Sequence, residues 1–260
     1  MPPTDEGTSH RQGMPDRSRI VDERILTPGH ARAAAAPAGE TRHYRILRTD
    51  ETDPYDDPLQ PDEVATLGAE RFVGFDDAYR GTSRKAAKLS IADAQVEDLE
   101  DIKDLVETLP AIEDMISHEP PITTDATSGR VDVENRNVRV RAFLYAASRE
   151  DDNDYHLILG RAPDLEPLYL TMELSGLPPQ ESDHFPTLEA AREAYKEFFG
   201  DDLPGASYDF YDPPIPVEVE GSLFFDRSHS SGSRPGPASL RPHIPTIWEL
   251  HPVTDILFEP

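Results

Sequence analysis

The sequence predicts a mainly β fold with α, centred on residues 130–260, in which five strands are interrupted once, between the third and the fourth, by a helix. Apolar residues alternate along 130–150, 154–161, 167–174, 215–226 and 246–258, the period at which strand side chains change face. Along 185–200 they recur at helical steps instead. Turn formers, among them Asp151-Asp152-Asn153 and Ala162-Pro163-Asp164, separate the strands.

From the N-terminus, residues 1–40 mix Pro, Gly, Arg, Asp and Ala without hydrophobic period and are predicted to be a disordered arm, because they bury too little to offset ordering entropy. HYRILRT (43–49) reads as a short strand, and TDETDPYDDPLQP (49–61) as a solvated acidic turn, since it lacks the glycine and terminal glutamate of an EF-hand loop. Residues 84–117 space Ile91, Val96, Leu99, Ile102, Leu105, Val106 and Leu109 as one amphipathic helix, with Pro110 ending or kinking it. Its Asp98, Glu100, Asp101, Asp104 and Glu107 form an acidic face, either solvated or a docking surface for a basic protein partner. HEPPITTDATSG (118–129) reads as a linker, so the chain divides into 1–40, 41–129 and 130–260.

In the C-terminal division, Val138, Val140 and Ala142 alternate with Arg139, Arg141 and Phe143 in the first strand, and DYHLILGR and PLYLTMEL supply the next two. The helix FPTLEAAREAYKEFFG (185–200) has Thr187 as a candidate cap, Leu188, Ala191, Tyr195, Phe198 and Phe199 on its apolar side and Gly200 at its end. IPVEVEGSLFFD and TIWELHPVTDILF complete the order β-β-β-α-β-β.

Charge and composition bound the function. Across 260 residues, 51 acidic side chains face 25 basic ones, and the net charge of -26 opposes wholesale attraction to nucleic acid or an anionic membrane, although a local basic patch still binds. With no cysteine there is no disulfide, thiolate metal site or cysteine nucleophile. No apolar run approaches the roughly 20 residues of a membrane span, and no leucine-rich stretch precedes the small residues of HARAAAAPAGE, so a cytoplasmic protein is expected. Phosphate-binding glycine loop, Gly-x-Ser-x-Gly elbow and HExxH helix are all missing.

The element order over residues 130–258 resembles the OB-fold, a five-stranded partly open barrel. Within that class, DDNDYHLIL (151–159) is similar to the Asp-Gly-Asp-Thr strand entry of staphylococcal-nuclease-like domains. The resemblance puts Asp152 and Asp154 on the two aspartates, Asp154 at the calcium-ligand position, and Glu173 in the role of the family's glutamate. The family's Arg and its Asp-Thr-Pro-Glu sequence have no counterpart in LYLTMELS (168–175).

Two constellations carry candidate chemistry. In the last strand Glu249 and His251 share a face, while Asp226 and His229 sit three apart at the end of the fourth strand. Three readings of these four residues stay open: a divalent-metal site with the second carboxylate orienting an imidazole, an acid/base pair for catalysis, or a structural hydrogen-bond network. A lone strand residue, His156, reads as structural. The second constellation is the loop after Asp226, which carries Arg227, Arg234, Arg241 and His243 and no acid up to Trp248. With Arg139 and Arg141 of the first strand it is the candidate receiver of an anionic ligand, nucleic acid included, because the planar guanidinium holds phosphate or carboxylate through two hydrogen bonds. The other reading is a flexible hairpin whose arginines pair with the chain's own carboxylates.

Overall fold

The computed structural model describes residues 13–29, 43–53, 77–232 and 234–258. Eight strands, β1 (Ile20–Leu26), β2 (Tyr44–Thr52), β3 (Val96–Leu99), β4 (Asn137–Arg149), β5 (Tyr155–Gly160), β6 (Tyr169–Leu174), β7 (Ser207–Phe225) and β8 (Trp248–Phe258), join in one mixed sheet. Its order is β1-β2-β7-β8-β6-β5-β4-β3, and a further β7–β4 pairing closes β4, β5, β6, β8 and β7 into a ring. Four helices accompany it: α1 (Lys85–Lys88), α2 (Ile102–Thr108), α3 (Ile112–Ile116) and α4 (Phe185–Phe199). The protein is mainly β with α, and none of these helices is long and apolar enough to cross a membrane.

Alternation decides what the ring encloses. Val138, Val140 and Leu144 of β4, Leu157 and Leu159 of β5, Leu170 and Met172 of β6, Val217 and Val219 of β7, and Trp248 and Leu250 of β8 meet in one core. Helix α4 packs Ala191, Tyr195, Phe198 and Phe199 onto it, with the Phe198 ring stacked on Phe258 at 3.8 Å between centroids. The five strands and the helix between the third and fourth lie near where the hydrophobic periods put them, except that β4 begins at Asn137, after a 3-10 turn Asp132–Glu134, rather than at 130, and β7 begins at Ser207, before the predicted 215. Gly200, at φ 54, ends α4. The N-cap is His184 rather than Thr187, because Pro186 falls in the first turn, where its fixed φ suits a helix start and its missing N–H costs nothing.

The N-terminal half departs further. The single helix expected over 84–117 is broken into α1, β3, α2 and α3, with Pro110 between the last two. Val96–Leu99 pair in parallel with Asn137–Val140 at the exposed edge of β4, so a long-range backbone ladder prevails over local helical periodicity. The acidic face is dismantled with it: Asp98 pairs with Arg139, Glu100 with Arg141, and Asp101 with Arg161. Within the segment read as a disordered arm, β1 pairs antiparallel with β2. Residues 1–12 and 30–42 of that segment and its neighbour lie outside the described residues, as do 54–61 of the acidic turn. In the part of the turn that is described Asp50 and Thr52 are exposed, but Glu51 and Asp53 are buried. Residues 118–129 form no regular element, as a linker requires, yet Ile122 is buried in the core.

Candidate functional site

The outward-facing residues of β5, β6 and β8 are not solvated, although alternation alone would make them so. They are covered by the loop 226–247, whose Leu240 and Ile244 pack with Ile158, Tyr169 and Tyr208, and by the segment that leads into α1. Under this cover lies a cluster of acids and imidazoles, placed by strand register. His156 of β5 stands opposite Glu173 of β6, and Thr171 of β6 opposite Glu249 of β8. Because β6 and β8 run parallel, two residues further along each strand bring Glu173 beside His251. Asp154 enters from the turn before β5, Asp226 from the end of β7, and His229 from the short 3-10 turn Ser228–Ser231 that follows it.

His251 Nδ1 is 2.8 Å from Glu173 Oε2 and 3.8 Å from Glu249 Oε2, and its Nε2 is 3.4 Å from Asp154 Oδ2. Ligand atoms of Asp154, Glu173 and His251 all lie within 4.8 Å of one another, and so do those of Asp226, His229 and Glu249. His229 Nδ1 and Asp226 Oδ2 are in direct contact. Lys88 of α1 brings Nζ to 3.8 Å from Asp152 Oδ2 and 3.9 Å from both Asp154 Oδ2 and Glu173 Oε2. Glu249 is 1% exposed and neither of its carboxylate oxygens has a hydrogen-bond partner; Nε2 of His251 and Oδ2 of Asp154 also lack one. Leaving such groups buried and unsatisfied costs on the order of 1–3 kcal/mol apiece, more when they are charged.

Burial and mutual repulsion set the protonation of the cluster. Burial pushes the Glu249 carboxyl well above its ordinary range, with Glu173 and Asp226 adding to it. Burial likewise raises Asp154 against the opposing pull of Lys88. Burial pushes His251 down to about 4, leaving its imidazole neutral near pH 7, the form that ligates metal. Burial also opposes ionisation of Asp226, but His229 overcomes it and holds that carboxyl at about 2. Burial works against the charge on His229 too, and Asp226 raises it above the ordinary value.

The four residues singled out on the fourth and fifth strands, together with Asp154 and Glu173, thus converge. The arginines do not join them. Arg139 pairs with Glu220 at 2.6 Å and with Asp98 at 3.0 Å, and Arg141 reaches Glu218 and Glu100. In the loop, Arg227 bonds Ser230 Oγ and donates to the Ile122 carbonyl, and Arg241 donates to the carbonyl of Gly236. Arg234 is half-buried and His243 is exposed. The loop lacks acids for a reason visible on its inner side: Gly236 N–H donates to Asp53 Oδ2 and Ala238 N–H to Glu51 Oε2, both at 2.9 Å, so it covers carboxylates. A carboxylate on that side would meet like charge in a dry interior.

Sequence reasoning missed several members. Nothing in the local pattern singles out Lys88, and Asp53 falls in a stretch that reads as a solvated turn. His156, taken as an isolated strand histidine, contacts Glu150 at 2.8 Å and Glu173 at 3.4 Å. Burial opposes the charge on His156, but Glu150 and Glu173 hold its pKa well above the ordinary value. One signal was available: Glu173 and His156 each fall two residues from another polar position on an otherwise apolar strand.

An apolar cleft of about 260 Å³ lies elsewhere, between Tyr44, Phe143, Pro163 and the prolines 213, 214 and 216, and no member of the cluster lines it. Compared with family models, with curated proteins and with solved structures, the chain matches none.

Proposed function

We propose that the covered cluster is a divalent-metal centre and that the chain is a metal-assisted hydrolase acting on an anionic, phosphate-bearing substrate. The observation that carries the reading is Glu249: a carboxylate 1% exposed, with both oxygens lacking a hydrogen-bond partner, beside a neutral imidazole. A cation held by carboxylate oxygen and imidazole nitrogen satisfies such atoms and polarises a bound phosphoryl oxygen or lowers the pKa of a bound water. Asp226 and His229, whose carboxylate and imidazole are in contact, add a further oxygen and nitrogen donor.

The ring order β4-β5-β6-β8-β7, with α4 between its third and fourth strands in the chain, supports an OB-like barrel. In that fold the loop between strands four and five and the face of strands two and three receive ligands; here these correspond to the loop 226–247 and the outer face of β5 and β6. In this reading the loop lifts to admit substrate, and Arg234 contributes positive charge at its outer side. The site is taken to work in the cytoplasm.

Calorimetric titration of the full chain with manganese, zinc or calcium tests the proposal, with hydrolysis of bis(4-nitrophenyl) phosphate followed alongside. Binding that disappears in His251→Ala, with metal-dependent turnover, is expected. Absence of binding heat at millimolar cation reduces the cluster to a structural network.

A further inference from the structure

The cluster contains more ligand atoms than one cation uses: besides Asp53, Glu150 and His156, which adjoin it through the 3.4 Å contact of His156 with Glu173, two sets meet at Glu249. Asp154, Glu173 and His251 form the first, and Asp226, His229 and Glu249 the second. Glu249 connects them: its Oε2 is 3.8 Å from His251 Nδ1 in the first set, while one of its oxygens lies within 4.8 Å of ligand atoms of Asp226 and His229. Both oxygens are buried and unpartnered, whereas a carboxylate serving one ion through one oxygen leaves the other to find a donor.

We infer that the centre is binuclear, with Glu249 as the carboxylate bridging one ion held by Asp154, Glu173 and His251 and a second held by Asp226 and His229. The inference rests on the metal-centre reading above and deepens it. Two ions sharing a carboxylate stand close enough to clamp the attacking and leaving oxygens of a phosphoryl group, which suits phosphate esters as the substrate class. In the hydrolysis, a water oxygen bonds to phosphorus, the bond from phosphorus to the leaving oxygen breaks, and the water's proton passes to the solvent or the leaving group.

Manganese alone serves as the probe. The full chain is loaded with manganese, freed of excess metal by gel filtration, and assayed by elemental analysis and electron paramagnetic resonance. Two ions per chain with an exchange-coupled spectrum are expected, falling to one ion with an uncoupled six-line spectrum in Asp226→Asn. Glu249→Gln, judged folded by circular dichroism, is expected to lose the coupling and at least tenfold of any turnover of bis(4-nitrophenyl) phosphate. One uncoupled ion per chain in the wild type overturns the binuclear assignment and leaves the metal-centre reading standing. No retained ion overturns both. Should neither variant fold, the wild-type stoichiometry and coupling decide alone.

Discussion

His251 Nδ1 lies 2.8 Å from Glu173 Oε2, across two strands that run parallel although 77 positions separate the residues in the chain. Both groups are buried. The contact exists because β8 enters the sheet beside β6 and not beside its sequence neighbour β7 alone. It places a neutral imidazole beside a buried carboxylate.

A cation that binds the folded chain and not the unfolded one raises stability by mass action, by about 2.7 kcal/mol at a free concentration 100 times its dissociation constant. Thermal unfolding with and without millimolar manganese or zinc is therefore expected to show a concentration-dependent rise in midpoint. Glu249→Gln and His251→Ala should lose most of it. A midpoint equally insensitive to cation in all three proteins contradicts the reading.

The Arg84 guanidinium meets both oxygens of Glu134 at 2.7 and 2.8 Å, and both side chains are fully buried. Glu134 also accepts from the N–H of Phe225, next to Asp226, and Arg84 donates to the Phe225 carbonyl. Glu134→Gln strands a buried cation and is expected to cost about 3–5 kcal/mol in urea unfolding. A loss under 1 kcal/mol would mean that water reaches the pair.

Gly236 sits at φ 93, and a Cβ there would meet Ile244 Cδ1 at 2.9 Å and Ile158 Cδ1 at 3.2 Å. Gly236→Ala is expected to cost about 1–3 kcal/mol and to loosen the loop over the cluster. Amide hydrogen exchange checks it: protection should fall across 227–247 and stay unchanged in β4. Equal protection in both proteins would show that the loop absorbs the methyl group.

Burial works against ionisation of Asp77, but Lys196 at 2.7 Å and Arg192 at 3.0 Å hold its carboxyl below the ordinary value of 3.8. A carboxylate depressed in the folded state contributes stability that is complete above its unfolded value and is lost as pH falls through the folded one. Asp77→Asn should thus cost about 1 kcal/mol at pH 7 and show a correspondingly smaller fall in stability below pH 3.8. Parallel stability curves for the two proteins between pH 7 and pH 2 would remove Asp77 from the account.

Much of the site was legible before the fold was. Glu249 and His251 share a face because strand side chains alternate, and Asp226 and His229 read as partners from their spacing. Asp154 follows from a resemblance in the β4–β5 turn, and Glu173, in β6, from analogy with the same family's glutamate. What failed was judgement of exposure. Lys88, Asp53 and Glu51 sit in segments whose local texture is polar, and their burial depends on which distant element covers them. The arginines failed in the opposite sense: Arg139 and Arg141 look like a basic face until β3 and β7 bring Asp98, Glu100, Glu218 and Glu220 alongside.

By itself the sequence determined the C-terminal succession of strands and helix, because periods of 2 and 3.6 are local properties that burial on one face imposes on any such segment. It also determined the absence of thiol chemistry, since the chain has no cysteine. Only the tertiary structure decided that residues 96–99 leave a helical pattern to pair with β4, that β6 and β8 lie parallel and adjacent, and that an acid-free loop closes over acids. Each of these is a contact between segments far apart in the chain, and its energy is shared by two partners, so neither partner's local pattern records it.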